Sequence, residues 1–122
     1  MRIRYSPAAR EDLRELHRYL VGEFGAAVAD EAVRKIVIDI SMLKRHPGLL
    51  RPLADKIGRP TDYQYLLCGK YSIAISLLEP EVISIIRILD GRTDYATTVF
   101  GEVGQAEGKL RKTAVNRVRS DL

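Results

Sequence analysis

SPAAREDLRELHRYLVGEFG, residues 6–25, reads as an amphipathic helix with both of its ends written into it. Ser6 can accept a hydrogen bond from the orphan amides of a first turn, and Pro7 suits the first helical position. Glu11 and Asp12 place negative charge toward the positive end of the helix dipole. Ala9, Leu13, Leu16, Leu20 and Phe24 recur at helical spacing, while Arg10, Arg14, Arg18, Glu11 and Glu15 fall on other faces, so one stripe is expected to be buried. Gly22 weakens the far end and Gly25 can take a backbone conformation that stops a helix, which places the end near Phe24.

Downstream of Gly25 a second helix is expected from about Ala26 to Arg45, with Val28, Ala32, Ile36, Ile40 and Leu43 as its core stripe and Val33 and Val37 widening it. Asp30 with Arg34 and Glu31 with Lys35 set acid four residues before base, each pair adding about 0.2–0.5 kcal/mol. Lys44, Arg45 and His46 meet its negative end, and Pro47 and Gly48 terminate it. So short a link between two amphipathic helices predicts an antiparallel hairpin.

Upstream, Met1 to Tyr5 alternates as a short strand. Residues His46 to Asp62, with three prolines and two glycines, read as a long irregular connection whose Leu49, Leu50, Leu53 and Ile57 still need apolar cover. Three strand-like runs follow, Tyr63 to Cys68, Tyr71 to Leu78 and Val82 to Leu89, joined by Gly69-Lys70 and Glu79-Pro80-Glu81 as an antiparallel meander. Alternation sets Ile83, Ile85 and Leu89 on one face of the last run and Val82, Ile86 and Ile88 on the other. Residues 101–122 change character: five bases against three acids carry a net +2 of the chain's +4, and Leu110, Ala114 and Val118 recur every four residues. That segment reads as a basic tail, flexible or conditionally helical.

The 122 residues fit one domain, and 46% hydrophobic residues supply one modest core. A single cysteine, Cys68, excludes an intrachain disulfide and a cysteine-based zinc site. No run approaches the ~18 apolar residues of a membrane span, and the amino terminus MRIRYSP lacks the pattern of a signal peptide, so a cytoplasmic protein is expected. No Gly-rich phosphate loop or metal-spaced cluster occurs, and neither a cofactor nor a metal is expected.

YSPAAREDLRELHRYL at 5–20, the Pro47-Gly48 break, GKYSIAIS at 69–76 and VISIIRILDGRTDY at 82–95, in that order, resemble the ParE/RelE toxin superfamily. The resemblance implies an α+β fold: an N-terminal strand, then an antiparallel helical hairpin packed on a small antiparallel sheet. Residues 1–100 would form that domain and 101–122 the tail. It implies the toxin of a type II toxin–antitoxin pair, held in a hetero-oligomer by an antitoxin with an acidic, partly disordered tail. In the RelE branch such a toxin cleaves messenger RNA on the ribosome; in the ParE branch it poisons DNA gyrase by binding it. The arginine of the last strand followed by a short polar turn, IIRILDGRTDY, resembles the ParE ending, and the ParE-like branch is the expectation. An inactive family member that only binds antitoxin is the third reading.

Cleavage through a 2′-hydroxyl needs a base, cations for the phosphate and a proton donor. His17 lies inside the first helix and His46 at the end of the second, where a solvated helix residue and a dipole partner explain them. A nuclease site would have to draw on Lys70, Arg87, Arg92 and Tyr95. Arg87, in an otherwise apolar strand, needs a carboxylate partner, for which Asp90 or Asp94 are the sequence-local candidates. Tyr63 and Tyr65 flank Gln64 where the superfamily often has an arginine, and sheet packing explains the pair. If the protein acts by contact, Tyr71, Ile73, Leu89, Tyr95 and Phe100 are the expected antitoxin-docking surface, with Arg87 and Arg92 pairing to its acids.

Overall fold

A computed structural model of the chain describes residues 1–90. The basic tail, Arg92, Asp94, Tyr95 and Phe100 lie outside the described residues. Element order is β1 (Arg2–Tyr5), α1 (Pro7–Phe24), α2 (Ala26–Ser41), β2 (Arg51–Pro52), α3 (Leu53–Ile57), β3 (Gln64–Cys68), β4 (Ser72–Leu78) and β5 (Val82–Asp90).

The helix start expected from Ser6 and Pro7 is present: Ser6 Oγ accepts a hydrogen bond from the Ala9 amide at 2.9 Å, and Pro7 opens α1. Gly25 alone links α1 to α2; its φ of 95° is open only to glycine without strain, and its amide still donates to the Val21 carbonyl. The hairpin follows from that one residue. Helix α2 ends at Ser41, earlier than the expected Arg45, because its last turn tightens into a 3-10 turn at Met42–Lys44.

The five strands form one sheet in the order β1-β5-β4-β3-β2. The meander β3-β4-β5 is antiparallel as read from sequence, but β1 joins its edge parallel to β5, Arg2 opposite Val82 through Tyr5 opposite Ile85, so the sheet is mixed. A parallel neighbour needs a crossover, and the helical hairpin with the chain after it supplies one. The expected loop over His46–Asp62 is more ordered than its composition implies. It holds a 3-10 turn at Pro47–Leu49, the short β2 against β3 and the one-turn α3, which bury Leu50 and Leu53.

A β-bulge corrects the reading of the last strand. Ile75 pairs with Arg87 and Ser76 with Ile85, leaving Ile86 as the extra residue, so alternation slips by one beyond it. Ile88 therefore joins Ile83 and Ile85 in the main core with Ala9, Ile36, Ile40 and Leu43, where Leu13 and Leu16 also pack. Leu89 and Ile86 pack instead on a second cluster of Leu53, Tyr63, Ile73 and Ile75. Each fully buried Leu or Ile here contributes about 1.5–3 kcal/mol. Among the described residues, no helix is long and apolar enough to cross a membrane.

Candidate functional site

Strand β1 covers the edge of β5 only as far as Ile85, and the start of α1 takes over from there. The Ser6 amide donates to the Ile85 carbonyl at 2.9 Å, and Ser6 Oγ donates to the Ile86 carbonyl at 2.8 Å. Asp12 Oδ2 then accepts the Ile88 amide at 2.8 Å. These bonds satisfy backbone groups of a strand edge that would otherwise be open.

The same Asp12 carboxylate holds Arg87, whose Nε and Nη2 donate to Oδ2 and Oδ1 at 2.7 and 2.9 Å. The expected partner of Arg87 was a nearby acid of its own strand end; among the described residues it is Asp12, brought from α1, and not Asp90. The side chains are 11% and 20% exposed, and Asp12, with Glu15 adding to it, raises the Arg87 guanidinium above its ordinary pKa. Arg87 is thereby a structural fork first of all.

From this fork an open groove of about 1010 Å³ runs along the hairpin toward Gly25. One wall is Leu16, Tyr19, Leu20 and Phe24 of α1 with Val28 and Ile36 of α2; the other is Gly69 to Ser72 with Arg87 to Asp90. Phe24 and Val28, read from sequence as members of the buried stripes, are 62% and 48% exposed, and Tyr19 is 60% exposed. So wide an apolar exposure on a small domain marks a contact surface. Glu15, Glu31, Asp90, Lys35 and Lys70 ring it with charge of both signs.

The turn wall is fastened to α2. Gly69, at φ 61°, donates its amide to Asp39 Oδ2 at 2.7 Å, and Lys35 Nζ pairs with the same carboxylate at 2.8 Å. A Cβ on Gly69 would stand 2.7 Å from Ile36 Cγ1, so the hairpin turn approaches the helix closely only because no side chain intervenes. Beneath it Cys68 is buried, and that burial, with Asp39 second, pushes its thiol up to about 12.

Of the residues expected to dock a partner, Tyr71 is 52% exposed on the groove wall and Leu89 lines it half-buried. Ile73 is fully buried in the second cluster and offers no surface. Lys70 is exposed on the turn. His17 makes a 2.7 Å contact with Asp30 that ties α1 to α2, and His46 is exposed before the Pro47 turn; neither lines the groove. Tyr63 belongs to the second cluster, and Tyr65 packs against it with the Lys56 ammonium 5.4 Å over its ring. Among the described residues no three His, Cys, Asp or Glu side chains gather as a metal site would require.

A family model described as the ParE toxin of the type II toxin–antitoxin system, parDE, matches residues 3–95. Among solved structures, a chain of the chromosomal ParDE TA system from P. aeruginosa superposes with a TM-score of 0.63 at 22% identity, covering 74% of this chain and 95% of that one. Among curated proteins none matches.

Proposed function

Because this chain belongs to the ParE toxin family of type II toxin–antitoxin systems, we propose that it arrests growth by binding DNA gyrase in the cytoplasm and that an antitoxin neutralises it by filling the apolar groove. The observation that carries this reading is the composition of the groove. It exposes Tyr19, Phe24, Val28 and Tyr71, whereas two of its cations are already held, Arg87 by Asp12 and Lys35 by Asp39. Large aromatic and aliphatic side chains beside satisfied charges suit protein recognition, in which a few apolar anchors carry most of the binding energy. An antitoxin segment of matching chemistry carries apolar anchors for Phe24 and Val28, and acids that meet Lys70 and Lys35. Ordered on the groove, it forms a toxin–antitoxin hetero-oligomer.

The runner-up, a ribosome-dependent messenger RNA interferase, would need Lys70 and Arg87 to work with Arg92 and Tyr95. Arg87 speaks against it, since a guanidinium engaged on two nitrogens by Asp12 must break that pair to reach a phosphate. Purified toxin separates the readings. Inhibition of gyrase supercoiling, with messenger RNA intact on translating ribosomes, is the expected result. Cleavage of messenger RNA lost on Arg87→Ala or Tyr95→Phe would replace it with the nuclease, and absence of growth arrest on expression without antitoxin would leave only an antitoxin-binding protein.

A further inference from the structure

We propose that in the free protein the groove is occupied by this chain's own carboxyl-terminal stripe, Leu110, Ala114 and Val118. The groove exposes Phe24, Val28 and Tyr71 over about 1010 Å³, more apolar surface than a small soluble domain leaves bare. The chain leaves β5 at Asp90, and Asp90 itself lines the groove. The stripe starts at Leu110, so the tether is 20 residues by subtraction, and at roughly 3.3 Å per extended residue it reaches any point of the groove.

Chemistry favours the same occupant. Residues four apart share one helical face, so the stripe presents Leu110, Ala114 and Val118 together when the segment is helical, with Arg111, Lys112, Arg117 and Arg119 around it. With the Asp12–Arg87 pair set aside as self-neutralised, the groove rim carries three carboxylates, Glu15, Glu31 and Asp90, against Lys35 and Lys70. A basic amphipathic segment is complementary to that balance. The family match ends at residue 95, so the stripe lies in chain beyond the shared domain. A tethered segment needs little intrinsic affinity, because a flexible link of this length gives an effective concentration near the millimolar range. The consequence for the antitoxin, which rests on the reading above, is that it must displace the stripe before it can seat.

The test uses the full chain without any antitoxin, so it leaves the gyrase reading untouched whichever way it falls. A thiol is introduced on the groove by Val28→Cys, with Lys70→Cys as a second position should the first fail to fold, and its rate of maleimide labelling is followed; the native Cys68 is buried and serves as the internal control. Adding Leu110→Asp with Val118→Asp is expected to speed labelling at the groove at least about fivefold, as an unfavourable charge removes an apolar anchor. A thiol from Ile38→Cys, on the exposed outside of α2, is expected to label at the same rate in both backgrounds. Equal groove rates with and without the stripe substitutions would overturn the proposal. So would a groove rate in the unsubstituted tail that rises on dilution, which would assign the occupant to a second copy.

Discussion

Asp12 and Arg87 stand 75 positions apart and meet in a bidentate ion pair that also takes the Ile88 amide onto the same carboxylate. One acid thus fastens α1 to the bulged half of β5, where β1 no longer reaches. Removing the carboxylate charge by Asp12→Asn leaves a half-buried guanidinium and strands part of the edge, and is expected to cost about 3 kcal/mol. Urea unfolding of Asp12→Asn, Arg87→Met and the double variant checks it. The double variant should lose less than the sum of the singles, because the two residues act as one unit.

Ser6 has two separable duties, accepting from the Ala9 amide and donating to the Ile86 carbonyl. Ser6→Ala loses both and should destabilise by about 1–2 kcal/mol. Ser6→Asp keeps the acceptor at the cap but has no proton for Ile86, so it should recover part of the loss and no more. Thermal melts of the three proteins distinguish the terms.

Gly69→Ala should be among the most damaging single-methyl additions in the chain. Its φ of 61° disfavours a side chain, and the new Cβ would stand 2.7 Å from Ile36. A loss of about 1–3 kcal/mol is expected in urea unfolding, with partial recovery when Ile36→Ala makes room.

Stability should fall at alkaline pH. Burial raises the folded-state pKa of Cys68 from 9.0 to about 12 and that of Tyr5 from 10.0 to about 12. Above about pH 9 the unfolded chain therefore sheds protons that the folded chain keeps. The unfolded state gains, and the stabilisation present below pH 9 is lost as the pH rises toward 12, each group contributing at most about 1.4 kcal/mol per pH unit. Urea unfolding between pH 8 and 11 reads the slope, and Cys68→Ala should flatten it.

Phe24→Asp should leave the fold nearly untouched and spoil binding. Phe24 is largely exposed, so stability should change by no more than about 0.5 kcal/mol. Affinity for the antitoxin should fall at least about tenfold if the groove is its seat. Calorimetric titration with the antitoxin encoded beside the gene measures it.

The helical hairpin and the meander were legible because each rests on local physics: Ser6 and Pro7 open α1, Gly25 closes it, and the turns at Gly69 and Pro80 bound the strands. The Asp12–Arg87 pair left a signal that went unused. Asp12 lies three residues after Ala9 and four before Leu16, on the buried side of α1, just as Arg87 lies in an apolar strand, and two such misfits in one core call for each other. Ile73 was misplaced for a different reason. Alternation tells which residues share a face of β4, but not that Leu53 and Tyr63 cover that face.

The order of elements, the hairpin and the antiparallel meander were decided by the sequence itself, since periodicity, caps and turn residues act over a few positions. The parallel seat of β1 beside β5, the slip at Ile86, the partner of Arg87 and the exposure of Phe24 and Val28 were decided only by tertiary structure. Each depends on where a distant segment comes to rest. An apolar stripe on a helix looks the same in sequence whether the sheet beneath it continues or stops short, and the groove exists where it stops.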